Sequence, residues 1–271
     1  MVKVVIVTGG SRGIGKAIIE YILTHSDRDT VVISTARTVE PLRLLQEKYG
    51  SERFQYVVGN IVDQCIQDKI IKTALKFDKN IYSLVANAGI LAPVDSITNY
   101  DPKLWKNHFD INFFSIVSLV SKCVPHMNKQ QSNGEEENTN SRGNNIIMVS
   151  SGASVKVYKG WSCYCASKAA LNQFTLSIAT EMGPQIKSIA IAPGVVATQM
   201  QVDIRERWGP QGMPSDALKR FVDLYNTNQL LDPSVPGHIY GYLAIKGIPE
   251  ELSGLYVRYD DTKLLSYINQ K

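Results

Sequence analysis

The chain has 271 residues, 44% of them hydrophobic and 20% charged, with a formal net charge of +4; that suits one large core rather than two and, with no Lys/Arg-rich run, excludes an electrostatic footprint for nucleic acid. The four cysteines, Cys65, Cys123, Cys163 and Cys165, form no CxxC pair and have no histidine at ligand spacing, so no metal is expected. No apolar run approaches the ~18 residues of a membrane span, and the apolar start is too short for a secretion signal, so a reducing cytoplasmic setting without membrane contact is expected.

Short β-branched runs alternate with helix-length segments. Residues 4–7 read as a buried strand, 15–24 as a helix, 31–33 as a strand and 41–49 as a helix that begins at a proline. Strand 54–58, helix 64–77 and strand 81–85 follow, and 102–127 reads as one long helix. Residues 128–145 contain no large apolar side chain and read as a mobile surface insertion. Strand 146–149, helix 162–182 and strand 188–191 come next, with 254–257 as a last strand. Between these, 198–236 mixes Met200, Trp208, Met213 and Phe221 with glycines and prolines, and reads as a loop-rich lid on the substrate side. Continuous apolar strands point to a parallel sheet buried on both faces. The expected fold is a single α/β domain over 1–271, three-layered, with a Rossmann-type doubly wound sheet and its ligand beyond the carboxyl ends of the strands.

The turn from first strand to first helix is Thr8-Gly9-Gly10-Ser11-Arg12-Gly13-Ile14-Gly15. Glycines there permit close approach to a pyrophosphate, and the helix N-terminus favours negative charge. An acid near the end of the second strand would bond the ribose diol of NAD. This chain has Ser34-Thr35-Ala36-Arg37-Thr38 there, and no carboxylate before Glu40. Arg37 suits a 2′-phosphate, Arg12 supplies a second cation, and Ser34 and Thr38 offer hydroxyls, so NADP(H) is the expected cofactor.

Tyr164 and Lys168 stand four residues apart at the start of a predicted helix and share one face, with Ser151 just past a strand. With the glycine turn, Asn87-Ala88-Gly89, Asn112, Tyr164-Cys165-Ala166-Ser167-Lys168 and Pro193-Gly194, they resemble the short-chain dehydrogenase/reductase family in order and spacing, over most of 1–200. Within it, the chain resembles the fungal benzil reductases and the sepiapterin reductases. A phenol, pKa near ~10, is a reluctant proton donor, and a nearby lysine charge would bring it toward working pH. Ser151 would hydrogen-bond the substrate oxygen. The resemblance implies that Lys168 also bonds the nicotinamide ribose, that Asn112 holds a water feeding protons to it, and that Asn87 lies near the adenosine-side ribose. It implies too that the 193–198 loop flanks the nicotinamide, with Val196 and Thr198 in contact. Asn60-Ile61 stands where the family often carries an acid and a hydrophobe at the adenine, so Asn60 is the expected adenine contact. Cys163 and Cys165 read as small packing residues.

The expected reaction is NADPH-dependent reduction of a ketone or diketone. Tyr158, Trp161, Met200, Trp208, Met213 and Phe221 suggest an apolar, aromatic substrate pocket. An NADP-dependent alcohol dehydrogenase working oxidatively and a non-catalytic NADP(H) sensor stay open as alternatives. Helices 102–127 and 162–182 carry surplus apolar residues, and a homodimer through them is expected.

Overall fold

A computed structural model describes residues 2–127 and 144–269. Seven strands run parallel in the order β3-β2-β1-β4-β5-β6-β7: β1 Lys3–Thr8, β2 Thr30–Ala36, β3 Phe54–Val58, β4 Ser83–Ala86, β5 Asn144–Val149, β6 Ile186–Ala192 and β7 Tyr256–Arg258. Alternate residues of the apolar runs feed opposite faces. Val5 and Val7 pack with Ile18, Ile19 and Ile22 of α1 (Gly13–His25) and with Leu42 of α2 (Glu40–Tyr49). Val4 and Ile6 pack on the other face with Ile70 of α3 (Gln64–Ala74), Leu119 of α5 (Ser115–Cys123) and Leu171 of α6 (Ser162–Met182). The expected three-layered, doubly wound sheet is what forms. Among the described residues no helix is long and apolar enough to cross a membrane.

Several expectations need correction. The helix expected over 102–127 is α4 (Pro102–Phe109), a π-helical turn at Asp110–Phe114, then α5 and a 3₁₀ turn at Val124–His126. Helical periodicity runs through a π-turn almost unchanged, so sequence spacing cannot show it. The strand expected at 81–85 runs Ser83–Ala86 instead; at its start the Ile81 amide is taken by the His126 carbonyl at 2.7 Å. The insertion expected at 128–145 lies outside the described residues except for Asn144 and Asn145, which open β5. Asn145 is buried; its side-chain oxygen accepts from the Ile248 amide at 2.8 Å and its nitrogen reaches the Ser83 hydroxyl. The lid expected at 198–236 is mostly helical: α7 (Gln199–Asp203), a π-turn at Ile204–Trp208, α8 (Gly209–Gly212) and α9 (Ser215–Asn226).

Two helices went unread, α10 (Ser234–Lys246) and α11 (Thr262–Asn269). In α10, Pro236, Gly237 and Gly241 resemble turn signals. Both glycines instead let the helix lie against α1: a Cβ on Gly237 would sit 2.7 Å from the Ala17 Cβ, and one on Gly241 2.4 Å from the Tyr21 ring. The contact closes a core around Tyr240 and Leu243, both wholly buried. Leu243→Ala should therefore lower the unfolding free energy by about 3 kcal/mol, read by urea denaturation, because a cavity opens where α10 meets the sheet.

Candidate active site

Beyond the carboxyl end of β1 the chain turns through Gly9, at φ +72°, and Gly13, at φ +55°. A Cβ on Gly15 would stand 2.3 Å from the Gly9 carbonyl oxygen and 2.5 Å from the Asn87 side-chain nitrogen, so that position tolerates only glycine. Thr8 holds the neighbouring strand end: its hydroxyl accepts from the amides of Asn87 and Ala88, both at 3.0 Å. The Asn87 amide donates to the carbonyls of Thr8 at 2.9 Å and Gly9 at 3.1 Å. Arg12 at the N-cap makes no side-chain cap to α1, leaving amides at the helix start for an anion. This narrow, donor-rich cradle fits a dinucleotide pyrophosphate. Ser34 departs from expectation: its hydroxyl is buried and donates to the Val7 carbonyl at 2.8 Å, inside the sheet.

At the end of β5 two serines point apart. Ser150 is buried and donates to Asn172 at 2.6 Å. Ser151 instead acts on Tyr164 of α6, pulling its pKa down. The Ser151 hydroxyl also caps the next turn, accepting from the Ala153 amide at 3.1 Å, and its carbonyl accepts from the Tyr256 hydroxyl at 3.3 Å. One turn further along α6, Lys168 is buried and donates to the Val149 carbonyl at 2.8 Å. Its nitrogen lies 5.8 Å from the centre of the Tyr164 ring. Burial draws the Lys168 ammonium down to about 8. It drives Tyr164 the other way, up to about 12, with a weaker opposing pull from Ser151. The expected depression of the Tyr164 pKa by Lys168 is therefore not what this arrangement produces: desolvation dominates, and the phenol holds its proton.

Asn112 sits in the π-turn, wholly buried. Its amide donates to the Ile90 carbonyl at 2.7 Å and its oxygen accepts from the Ile90 amide at 2.8 Å. One turn back, His108 is equally buried and contacts Ala92, Asn112 and Ser167. Burial, first, and the charge of Lys168 lower its pKa to about 4, against a weaker upward pull from the Ala92 carbonyl.

Beside Tyr164 an apolar cluster gathers all six residues expected to line the pocket: Tyr158, Trp161, Met200, Trp208, Met213 and Phe221. The Trp161 ring stands edge-on to Tyr164 at 5.8 Å and stacks on Phe221 at 5.2 Å. Its indole N–H points to the Met213 sulfur at 3.3 Å.

The sequence profile described as short chain dehydrogenase matches residues 3–208. This chain belongs to the short-chain dehydrogenase family. It is similar to the (S)-benzoin-forming benzil reductase of Saccharomyces cerevisiae, 45% identical over 269 residues that cover 97% of this chain and 98% of that one. It also resembles the (S)-benzoin-forming benzil reductase of Bacillus cereus, 32% identical over 267 residues, covering 96% and 100%. The crystal structure of a short-chain dehydrogenase/reductase from Saccharomyces cerevisiae superposes with a TM-score of 0.89 at 45% identity, covering 98% of this chain and 99% of that one.

In this short-chain dehydrogenase the expected positions converge on one end of the sheet. Gly9, Ser11, Arg12, Gly13, Ile14 and Gly15 form the cradle, with Asn87, Ala88 and Gly89 beside it at the end of β4. A Cβ on Gly89 would stand 3.8 Å from the Lys168 nitrogen, which ties that strand end to Lys168. After β6, Pro193 and Gly194 turn the chain so that Val196 bridges Leu231 and the Thr198 methyl meets Gly13, 3.1 Å from where its Cβ would be. Arg37 follows β2 with its side chain exposed. Asn60, after β3, is also exposed, and its oxygen accepts from its own chain at the Val62 amide. His108 escaped the sequence reading.

The depressed His108 pKa has a stability consequence. Between the ordinary histidine value of 6.5 and about 4, the unfolded chain takes up a proton that the folded chain refuses, so stability falls as pH falls through that window and levels off below it. His108 should contribute ~3 kcal/mol to this loss. In urea unfolding between pH 7 and 4.5, His108→Gln should show a shallower decline than the parent; equal slopes would contradict the assignment.

Proposed function

We propose that this short-chain dehydrogenase is an NADPH-dependent reductase of ketones and diketones bearing aromatic groups, similar in reaction to its benzil reductase relatives. The observation that carries the reading is Tyr164, its pKa lowered by Ser151, with the Lys168 nitrogen 5.8 Å from its ring centre and Trp161 edge-on to it. The hydroxyls of Ser151 and Tyr164 form a paired donor for a carbonyl oxygen, and the aromatic cluster offers flat apolar surface to its substituents.

NADPH would lie along the carboxyl ends of the strands, pyrophosphate on the glycine cradle and 2′-phosphate between Arg12 and Arg37. When bound it supplies the hydride, and in its oxidised form a positive charge beside Tyr164. The chain's own residues do the rest. Ser151 orients the carbonyl and stabilises the charge that develops on its oxygen. Tyr164 donates its proton to that oxygen. Lys168, mostly protonated at neutral pH with its pKa at about 8, stabilises the phenolate left behind. A phenol raised to about 12 is in the acid form that reduction needs. Asn112 braces Ile90 and, through it, the strand end that faces Lys168.

Among the described residues all four cysteines are free, in keeping with a reducing cytoplasmic setting. A homodimer is proposed through the face of α4, α5, the π-turn between them and α6, where Leu104, Phe114 and Leu176 are exposed.

With NADPH and benzil, the parent protein should turn over and Tyr164→Phe should lose at least ~100-fold in kcat, because the phenyl ring keeps the packing and lacks the proton. Equal rates would contradict the role of Tyr164. Arg37→Ala should lower kcat/KM for NADPH by ~10-fold or more while leaving NADH nearly unchanged, read by initial rates with each nucleotide.

A further inference from the structure

We infer that His108 is a positioning residue: it joins the Asn112 turn to the Tyr164 end of α6 and so sets where the Tyr164 hydroxyl stands. The inference rests on the reading of Tyr164 as proton donor.

Three separate parts of the chain meet at this one imidazole. Its Nδ1 lies 2.7 Å from the Ala92 carbonyl, in the segment that follows β4. Its Nε2 lies 2.9 Å from the Asn112 amide nitrogen and 2.9 Å from the Ser167 hydroxyl. Ser167 in turn donates to the Tyr164 carbonyl at 2.9 Å. The imidazole also stands edge-on to the Tyr164 ring, 6.0 Å between centres at 85°.

The partners dictate where the protons sit. A carbonyl only accepts, so Nδ1 carries the hydrogen and Nε2 is the bare acceptor. The Asn112 amide has two hydrogens: one goes to the Ile90 carbonyl and the other to Nε2. The single Ser167 hydrogen has two acceptors in reach, the Tyr164 carbonyl and Nε2, and is shared between them. With the ring hydrogen on Nδ1 the Ala92 and Asn112 bonds are both made, and a second ring proton would face the Asn112 N–H directly. An apolar ring of the same size would fill the space and strand the Ala92 carbonyl and the Asn112 amide in the interior. His108 does not contact the reacting oxygen. It acts by holding Asn112, which braces Ile90, and Ser167, which is bonded to the Tyr164 backbone.

Two substitutions separate the two sides of the ring. His108→Gln places an acceptor near Nε2 and gives up the Ala92 bond. His108→Asn keeps a donor near Nδ1 and gives up the links to Asn112 and Ser167. With NADPH and benzil, His108→Asn should lose roughly 30-fold in kcat, with KM for NADPH within about twofold, and His108→Gln should stay within about threefold of the parent. Equal losses in the two variants, no loss in either, or losses that follow the fall in Tm would overturn the inference. Ser167→Ala cuts the same link from the α6 side and serves if His108→Asn does not fold: about fivefold loss of kcat is expected, and an unchanged kcat would overturn the inference. Tyr164→Phe runs in the same assay. If that variant is inactive and the His108 and Ser167 variants are undisturbed, the inference alone fails; if it is fully active, the reading of Tyr164 beneath it fails.

Discussion

Water is kept from two neighbouring titratable groups on α6, and both respond by favouring their neutral forms. Tyr164 rises to about 12 and Lys168 falls to about 8, each chiefly because burial penalises its charge. The Val149 carbonyl gives the Lys168 ammonium a partner at 2.8 Å, and Ser151 pulls the Tyr164 pKa back down. Those partners come from the end of β5 and the turn after it. The chemistry proposed for the site therefore depends on how tightly α6 is held against that strand end. The low dielectric that raises the Tyr164 pKa also strengthens every interaction offered to a charge arriving beside it.

The rest of the molecule secures that contact. Leu171 and Ile178 of α6 lie in the core with Ile146 and Met148 of β5. On the opposite face α10 closes over the sheet, and Tyr240 donates to the Ile191 carbonyl at 2.7 Å. Thr8, Asn87 and the glycine turn lock the ends of β1 and β4 together, which sets the cradle at a fixed position relative to Lys168. The aromatic cluster built by 158–161 and 200–221 excludes water from the Tyr164 side. Its members come from short helices and π-turns that present large apolar side chains from several directions.

The sheet was legible because its strands are continuous apolar runs, and the cradle because four glycines and an arginine stand where a strand turns into a helix. Tyr164, Lys168 and Ser151 were legible by spacing and by resemblance. Spacing selects Ser151 over Ser150, but the engagement of Ser150 by Asn172, 22 residues away, shows only in the fold. Ser34 was misread because a serine at a strand end can face the interior as easily as a phosphate. The direction of the Tyr164 shift was misread because charge proximity is visible in spacing and desolvation is not. His108 was hidden by distance, with partners 16 and 59 residues away, although its spacing of four to Asn112 placed both on one helical face. Helix α10 was hidden by glycines whose role appears only when α1 lies beside them.

Burial keeps Tyr164 protonated; in the proposed reaction, bound NADP⁺ together with Lys168 would make its proton exchangeable. The ultraviolet absorbance of tyrosinate reads this directly, as the difference between the parent and Tyr164→Phe across alkaline pH, with and without saturating NADP⁺. Tyr164 should ionise at about 12 in the free protein, and its pKa should fall by roughly 3 units or more with NADP⁺. Ionisation near neutral pH in the free protein, or no fall with NADP⁺, would contradict it.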